Sequence, residues 1–178
     1  FSENESVQYF NTEQFDANIT ILNTGLNTYT GGRVLRAKDF LKDSDNFLLT
    51  YGDGLSDVNI KELVKTHQSK NNIVTITSVN PGSRFGTLEF DGDQVLSFKE
   101  KQKESSGWIN AGFMVVNKRV FDFLENDNTI LEREPFEKIS SIGKMGYYKH
   151  SGFWQCMDTL RDKNHLEDLL NKNIAPWI

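Results

Sequence analysis

The chain has 178 residues, 37% hydrophobic and 25% charged, with a formal net charge of −5. Thirteen phenylalanines against three prolines describe a folded domain long enough to bury a core, not a disordered segment. Its 20 basic side chains are scattered among 25 acidic ones, which excludes the basic stripe a nucleic-acid partner requires. No apolar run reaches the length of a membrane span and no secretory signal is visible, so no membrane partner is expected. A lone cysteine, Cys156, excludes an internal disulfide and fits a reducing, cytoplasmic setting.

From the amino end, residues 1–16 read as a polar lead-in. Ile19 and Ile21 alternate with polar neighbours, predicting a short strand over 18–23. Thr30-Gly31-Gly32-Arg33 opens a helical segment with Val34, Leu35, Ala37 and Leu41 on one face. Phe47 to Tyr51 opens on the apolar run Phe47-Leu48-Leu49 and reads as a buried strand of a parallel sheet. Ile60, Leu63, Val64 and His67 share a helix face, and residues 73–79 form a β-branched strand. A hairpin follows, turning at Asp91-Gly92-Asp93. Then come a strand over 109–116, helices around 120–124 and 135–142, and a short strand over 147–150. The last element is a helix over 159–171 striped by Leu160, Leu166, Leu169 and Leu170. Alternation of strands and helices predicts an α/β fold: a mixed, mainly parallel sheet of the nucleotide-binding, Rossmann-like kind, flanked by helices, with an inserted hairpin. Residues 1–178 are expected to be a single domain.

Two aspartates stand out. Asp53 lies in Tyr51-Gly52-Asp53-Gly54, directly after an apolar strand, where open α/β sheets bind their ligands. Asp158 lies in Gly152-Phe153-Trp154-Gln155-Cys156-Met157-Asp158-Thr159-Leu160-Arg161-Asp162. A hard cation such as Mg²⁺ is held by one or two carboxylates together with substrate phosphates, so the pair suggests metal-assisted chemistry on a phosphate. Against this, Gly-Asp-Gly is commonly a plain turn, and Asp158 could cap the helix that follows it. Thr30-Gly31-Gly32-Arg33 is either a phosphate-facing helix start or an ordinary capped one. Glu100-Lys101 reads as surface charge or as polar groups at one sheet edge, and Asn110 as a turn residue or a ligand contact. Cys156 is expected to pack beside Trp154, not to act as a nucleophile. His67 and His165 fall on helices and are expected to be partly buried or surface residues, not ligands.

Taken in order, Thr24-Gly25 with Thr30 to Arg33, Thr50 to Gly54, Arg84-Phe85-Gly86, Phe98 to Lys101, Ile109 to Phe113 and Gly152 to Asp162 resemble the sugar-phosphate nucleotidyltransferases. The long Trp154 segment is particular to their cytidylyl branch. The resemblance implies transfer of a cytidylyl group from CTP to glucose 1-phosphate, giving CDP-glucose and pyrophosphate; the alternatives are a related uridylyl- or thymidylyltransferase, or a catalytically inactive sugar-nucleotide-binding or regulatory domain. It implies Mg²⁺ on Asp53 and Asp158, nucleotide contacts from Thr28, Thr30, Gly31, Gly32, Arg33 and Asp53, and a sugar-phosphate pocket lined by Gly86, Glu100, Lys101 and Asn110. Homo-oligomers are the family habit. Gln102 and Ala111 depart from residues usual in the family. The family's first strand and Gly-rich phosphate loop have no counterpart here, so the expectation is of a nucleotidyltransferase domain without its N-terminal segment.

Overall fold

The computed structural model describes residues 7–12, 17–41, 43–81, 87–91, 94–99 and 107–178. The chain divides into two compact units, residues 1–47 with 117–144, and residues 48–116 with 145–178.

In the first unit, β1 (Val7–Thr12) and β2 (Ala17–Leu22) form an antiparallel ribbon, from Val7 opposite Leu22 to Thr12 opposite Ala17. β2 was expected. β1 was not, because the segment reads as a polar lead-in; pairing with β2 supplies the order that its own pattern does not signal. Helix α1 (Thr30–Arg36) breaks at Ala37 and continues as α2 (Lys38–Leu41). A 3-10 helix (Lys118–Phe123) follows Asn117, whose side-chain carbonyl accepts the Arg119 N–H at 3.1 Å. Helix α4 (Glu134–Ser141) begins with Pro135 in its first turn, where a missing N–H costs nothing. Among the described residues, Val34, Val120, Phe121, Leu124, Leu131, Pro135, Phe136 and Ile139 are buried apolar residues of this unit.

The second unit is built on a mixed sheet in the order β3-β8-β5-β9: β3 (Asn46–Thr50), β8 (Ile109–Asn117), β5 (Val74–Val79) and β9 (Met145–His150). A few end residues of β3 and β8 are counted with the first unit. β5 runs antiparallel to β8 and parallel to β9. The side chains of Asn46 and Asn117 bond at 2.8 Å and the Tyr51 N–H bonds the Gly112 carbonyl at 3.1 Å, so β3 is antiparallel to β8. Three of the four strands therefore share a direction, as the α/β reading requires. β6 (Thr87–Asp91) and β7 (Gln94–Lys99) form the expected antiparallel hairpin.

Helix α3 (Ile60–Lys70) packs on β5 and β9, burying Leu63 and His67. His67 is the buried member of the histidine pair, its Nδ1 2.9 Å from the Thr75 hydroxyl, while His165 is exposed. β3 differs from the expected buried strand. It is an edge of the four-stranded sheet, and Leu48 on it is 56% exposed. Helix α5 (Leu160–Asn171) forms as expected, but its stripe is buried only at Leu166; Leu160 is 71% exposed.

Two further strands, β4 (Gly54–Ser56) and β10 (Trp154–Cys156), pair antiparallel as a separate ribbon. At three residues each they are too short for alternation to reveal, yet they carry the two aspartates at their ends.

Candidate active site

Asp53 occupies the turn between β3 and β4, and Asp158 follows β10. In the ribbon Cys156 pairs with Gly54, and the Met157 N–H bonds the Asp53 carbonyl at 2.8 Å. Two acids 105 positions apart in the chain thus leave the same end of one ribbon. Both line a cavity of about 390 Å³ together with Tyr51, Gly54, Pro81, Asn110, Ala111, Trp154 and Cys156.

The helix-cap alternative for Asp158 is answered by its neighbour. Thr159 is the N-cap of α5: its hydroxyl accepts the Asp162 N–H at 3.2 Å, and Asp162 accepts the Thr159 N–H at 3.0 Å, a reciprocal capping box. Asp158 is left outside the helix, and its carboxylate accepts the Cys156 thiol at 3.1 Å. The Asp53 side chain has no bonded partner among the described residues. Both carboxylates are exposed, and no Lys or Arg pairs with either among the described residues. Among the described residues nothing lies within 4 Å of where a Cβ of Gly52 would stand, which leaves a bulky ligand a clear approach to the turn.

Among the described residues no group of three or more His, Cys, Asp or Glu side chains could hold a metal ion. Two carboxylates are what Mg²⁺ takes from protein when phosphates and water fill its remaining positions.

Asn110 joins the same cavity from β8. Its side-chain carbonyl accepts the Gly112 N–H at 2.9 Å, across a register shift in the β5–β8 pairing. Gly112 has φ +81°, and a Cβ there would stand 2.7 Å from the Tyr51 ring. The Asn-x-Gly sequence therefore builds a bulge, which re-aims the strand beside the cavity. The Trp154 indole N–H donates to the Ala111 carbonyl at 2.8 Å and fastens β10 to that bulge. Cys156, next but one to Trp154 on β10, is partly buried, and its ribbon leaves one face to the cavity.

The Thr30-Gly31-Gly32-Arg33 segment lies in the first unit, and its helix start is already bonded. The Gly31 and Gly32 N–H groups donate to the Thr129 carbonyl at 2.9 and 3.2 Å, and the Tyr29 N–H to the Asp127 carbonyl at 2.9 Å. The Thr30 hydroxyl donates to Glu132 at 2.7 Å and accepts the Leu131 N–H at 3.0 Å. Arg33 bonds the Thr24 hydroxyl at 2.5 Å. Thr28, Gly31 and Gly32 are buried, while Thr30 and Arg33 are exposed. The Gly31 and Gly32 N–H groups are spent on the protein's own backbone, which leaves Thr30 and Arg33 as the exposed groups of the segment. Gly86, Glu100 and Lys101 lie outside the described residues.

Sequence reasoning passed over Tyr51, Pro81 and Ala111 as cavity residues. Tyr51 was the legible one, as an aromatic beside a Gly-Asp-Gly turn.

The family description for nucleotidyl transferases matches residues 3–155, running through both units and ending just short of Asp158. Glucose-1-phosphate cytidylyltransferases of Salmonella typhi and Salmonella typhimurium are each 44% identical over 160 residues, covering 90% of this chain and 62% of their own length. The chain therefore spans less than two thirds of those relatives. Among solved structures, HddC from Yersinia pseudotuberculosis superposes with a TM-score of 0.58 at 20% identity, covering 79% of this chain and 61% of that one, a likeness of fold. Among the described residues no helix is long and apolar enough to cross a membrane. The extent of the family match makes the chain a member of the nucleotidyl transferase family.

Proposed function

We propose that this chain is the catalytic part of a glucose-1-phosphate cytidylyltransferase, joining CTP and α-D-glucose 1-phosphate to give CDP-glucose and pyrophosphate. The observation that carries the reading is the pair of exposed carboxylates, Asp53 and Asp158, brought to one end of one ribbon at one cavity. The Salmonella relatives that bear this activity in their names support the choice of base and sugar.

In this reaction an oxygen of the sugar phosphate attacks the α-phosphorus of CTP in line, and pyrophosphate leaves. That oxygen is ionised at neutral pH, so no general base is required, and positioning with charge stabilisation does the catalysis. Asp53 and Asp158 would hold Mg²⁺, which when bound offsets the charge on the α-phosphate. Asn110, fixed by its bond to Gly112, would present its amide to the sugar phosphate, with Gly86, Glu100 and Lys101 completing that pocket. On the nucleotide side, Thr30 and Arg33 are the exposed groups that would meet CTP, while buried Thr28, Gly31 and Gly32 would shape the segment without donating. A single family match through both units supports reading them as one domain, and a cytoplasmic homo-oligomer belongs to the same proposal.

Pyrophosphate release by the full-length protein with CTP, UTP and dTTP, each beside glucose 1-phosphate, tests the reading. CTP is expected to lead by at least about tenfold in kcat/KM. A preference for UTP or dTTP would move the protein to another branch of its family.

A further inference from the structure

We infer that His150 is a positioning residue for Asp53 and Asp158, acting through a hydrogen-bonded clasp at the opposite end of the ribbon that carries both acids. The inference rests on reading that pair as a metal site.

A ribbon of two three-residue strands has too few ladder bonds to hold its own place. Side-chain ties to the four-stranded sheet must do so. One is the Trp154 indole on the Ala111 carbonyl at 2.8 Å. The other lies where Ser56 pairs with Trp154 and the Asp57 N–H reaches the Phe153 carbonyl at 3.3 Å. There His150, the last residue of β9, is held in parallel register against Val79 of β5 and is only 8% exposed. Its Nε2 lies 2.9 Å from an Asp57 carboxylate oxygen, 3.1 Å from the Phe153 carbonyl and 3.2 Å from the Ser56 hydroxyl.

The Ser56 hydroxyl gives its own hydrogen to the Phe153 carbonyl at 2.7 Å. Every group around Nε2 is therefore an acceptor, and Nε2 must carry the hydrogen. One buried donor joins residues on both sides of the ribbon to the sheet. Gly152 shows how tightly the backbone closes here, since a Cβ at that position would run into the Asp57 carboxylate and the His150 ring. Removing the donor leaves these acceptors facing one another and frees the ribbon to shift against the sheet. The acids at its other end would shift with it. A cation gripped by only two protein carboxylates tolerates little displacement, of the order of 0.5 Å.

The test uses Mn²⁺ alone as the probe, its binding to the full-length protein followed by electron paramagnetic resonance, with circular dichroism melts to establish folding. His150→Phe should weaken Mn²⁺ binding by at least about tenfold, the usual consequence of losing a group that orients metal ligands. His150→Gln, which places an amide N–H near the same point, should restore binding to within about threefold of wild type. Asp57→Ala, at a residue whose side chain is partly exposed, should weaken binding as well and decides the question if His150→Phe does not fold. If folded His150→Phe or Asp57→Ala binds Mn²⁺ as wild type while Asp53→Asn does not, the clasp positions nothing. Failure of His150→Gln to restore binding likewise overturns it in favour of simple packing. Wild-type binding by Asp53→Asn overturns the metal reading itself, and the clasp with it.

Discussion

Thr30-Gly31-Gly32-Arg33 and Tyr51-Gly52-Asp53-Gly54 are both short polar segments with two glycines, and the structure uses them in opposite ways. In the first, the glycines face protein. Cβ atoms at Gly31 and Gly32 would meet Thr129 and Asp127 at under 3 Å, and both N–H groups are bonded to the Thr129 carbonyl. In the second, Gly52 faces nothing within 4 Å among the described residues, and the carboxylate of the aspartate between the glycines has no partner among them. A glycine can be required by a neighbouring backbone or by an incoming ligand, and sequence alone does not distinguish the two. What the glycine faces does. One segment is an internal joint, and the other is an open edge.

If that contrast is right, damage to the two segments separates cleanly. The largest effect belongs to the open edge. Asp53→Asn and Asp158→Asn should each lower turnover by at least about a hundredfold, the usual cost of losing a metal ligand, with melting unchanged. Melting is spared because neither carboxylate supports the fold: Asp158 is relieved of capping by Thr159, and Asp53 engages the protein through its backbone carbonyl. Near-normal activity in either variant, or unfolding of both, would erase the distinction.

The internal joint should show the reverse. Gly32→Ala sets a Cβ 2.6 Å from the Asp127 carbonyl and 2.7 Å from its Cα, and backbone cannot give way as a flexible side chain can. Overpacking of this kind costs about 3 kcal/mol of stability. Urea unfolding should register that loss, while Mn²⁺ binding by the folded fraction stays at the wild-type value. A stable Gly32→Ala protein with weakened CTP binding would restore the phosphate-facing reading of this helix start.

The sequence made most long elements legible because each is long enough to show a period. α3 announces itself through Leu63 and His67 on one face, and the Asp91-Gly92-Asp93 turn announces the β6–β7 hairpin. β4 and β10 stayed hidden, since three residues carry no period and their pairing joins segments about a hundred positions apart. β1 stayed hidden because its partner, not its pattern, orders it. The same division holds at the site. Asp53, Asp158 and Asn110 were visible as motif residues, but the ribbon that joins the two acids and the bulge that holds Asn110 are long-range contacts. For the Thr30 segment, the carbonyls that bond its helix start come from residues 127 and 129, too far along the chain for a local pattern to show.

A smaller effect tests whether the sheet beside the open edge carries strain of its own. The Thr77 hydroxyl is fully buried with no hydrogen-bond partner among the described residues, and it sits on β5 where the register against β8 shifts between Ile76 and Ser78. An unpaired buried hydroxyl keeps its desolvation cost without return. Thr77→Val removes the polar atom at nearly constant shape and should raise unfolding stability by about 1 kcal/mol. A loss of stability would mean that the hydroxyl is in fact paired.

The smallest expected effect returns to the internal joint. Arg36 donates two hydrogen bonds, at 2.8 and 2.5 Å, to the carboxylate of Asp127, whose backbone carbonyl also accepts the Tyr29 N–H. Both side chains are nearly half exposed, so solvent screens the pair and its worth is modest. The Arg36 hydrogen bonds hold the Asp127 carboxyl below its ordinary value of 3.8. A carboxyl depressed in the folded state contributes stability at pH values above its unfolded range and loses it as the pH falls through the folded value. The same partner, through its hydrogen bonds, raises Arg36 above its ordinary value, so its share would be lost only in strong alkali. Asp127→Asn removes the charge but leaves the backbone carbonyl on Tyr29 in place. The gap in melting temperature between wild type and Asp127→Asn should therefore be present at pH 7 and shrink below about pH 4. A gap that persists or widens in acid would show that Asp127 serves the joint through packing or its neutral hydrogen bond, not through the ion pair with Arg36.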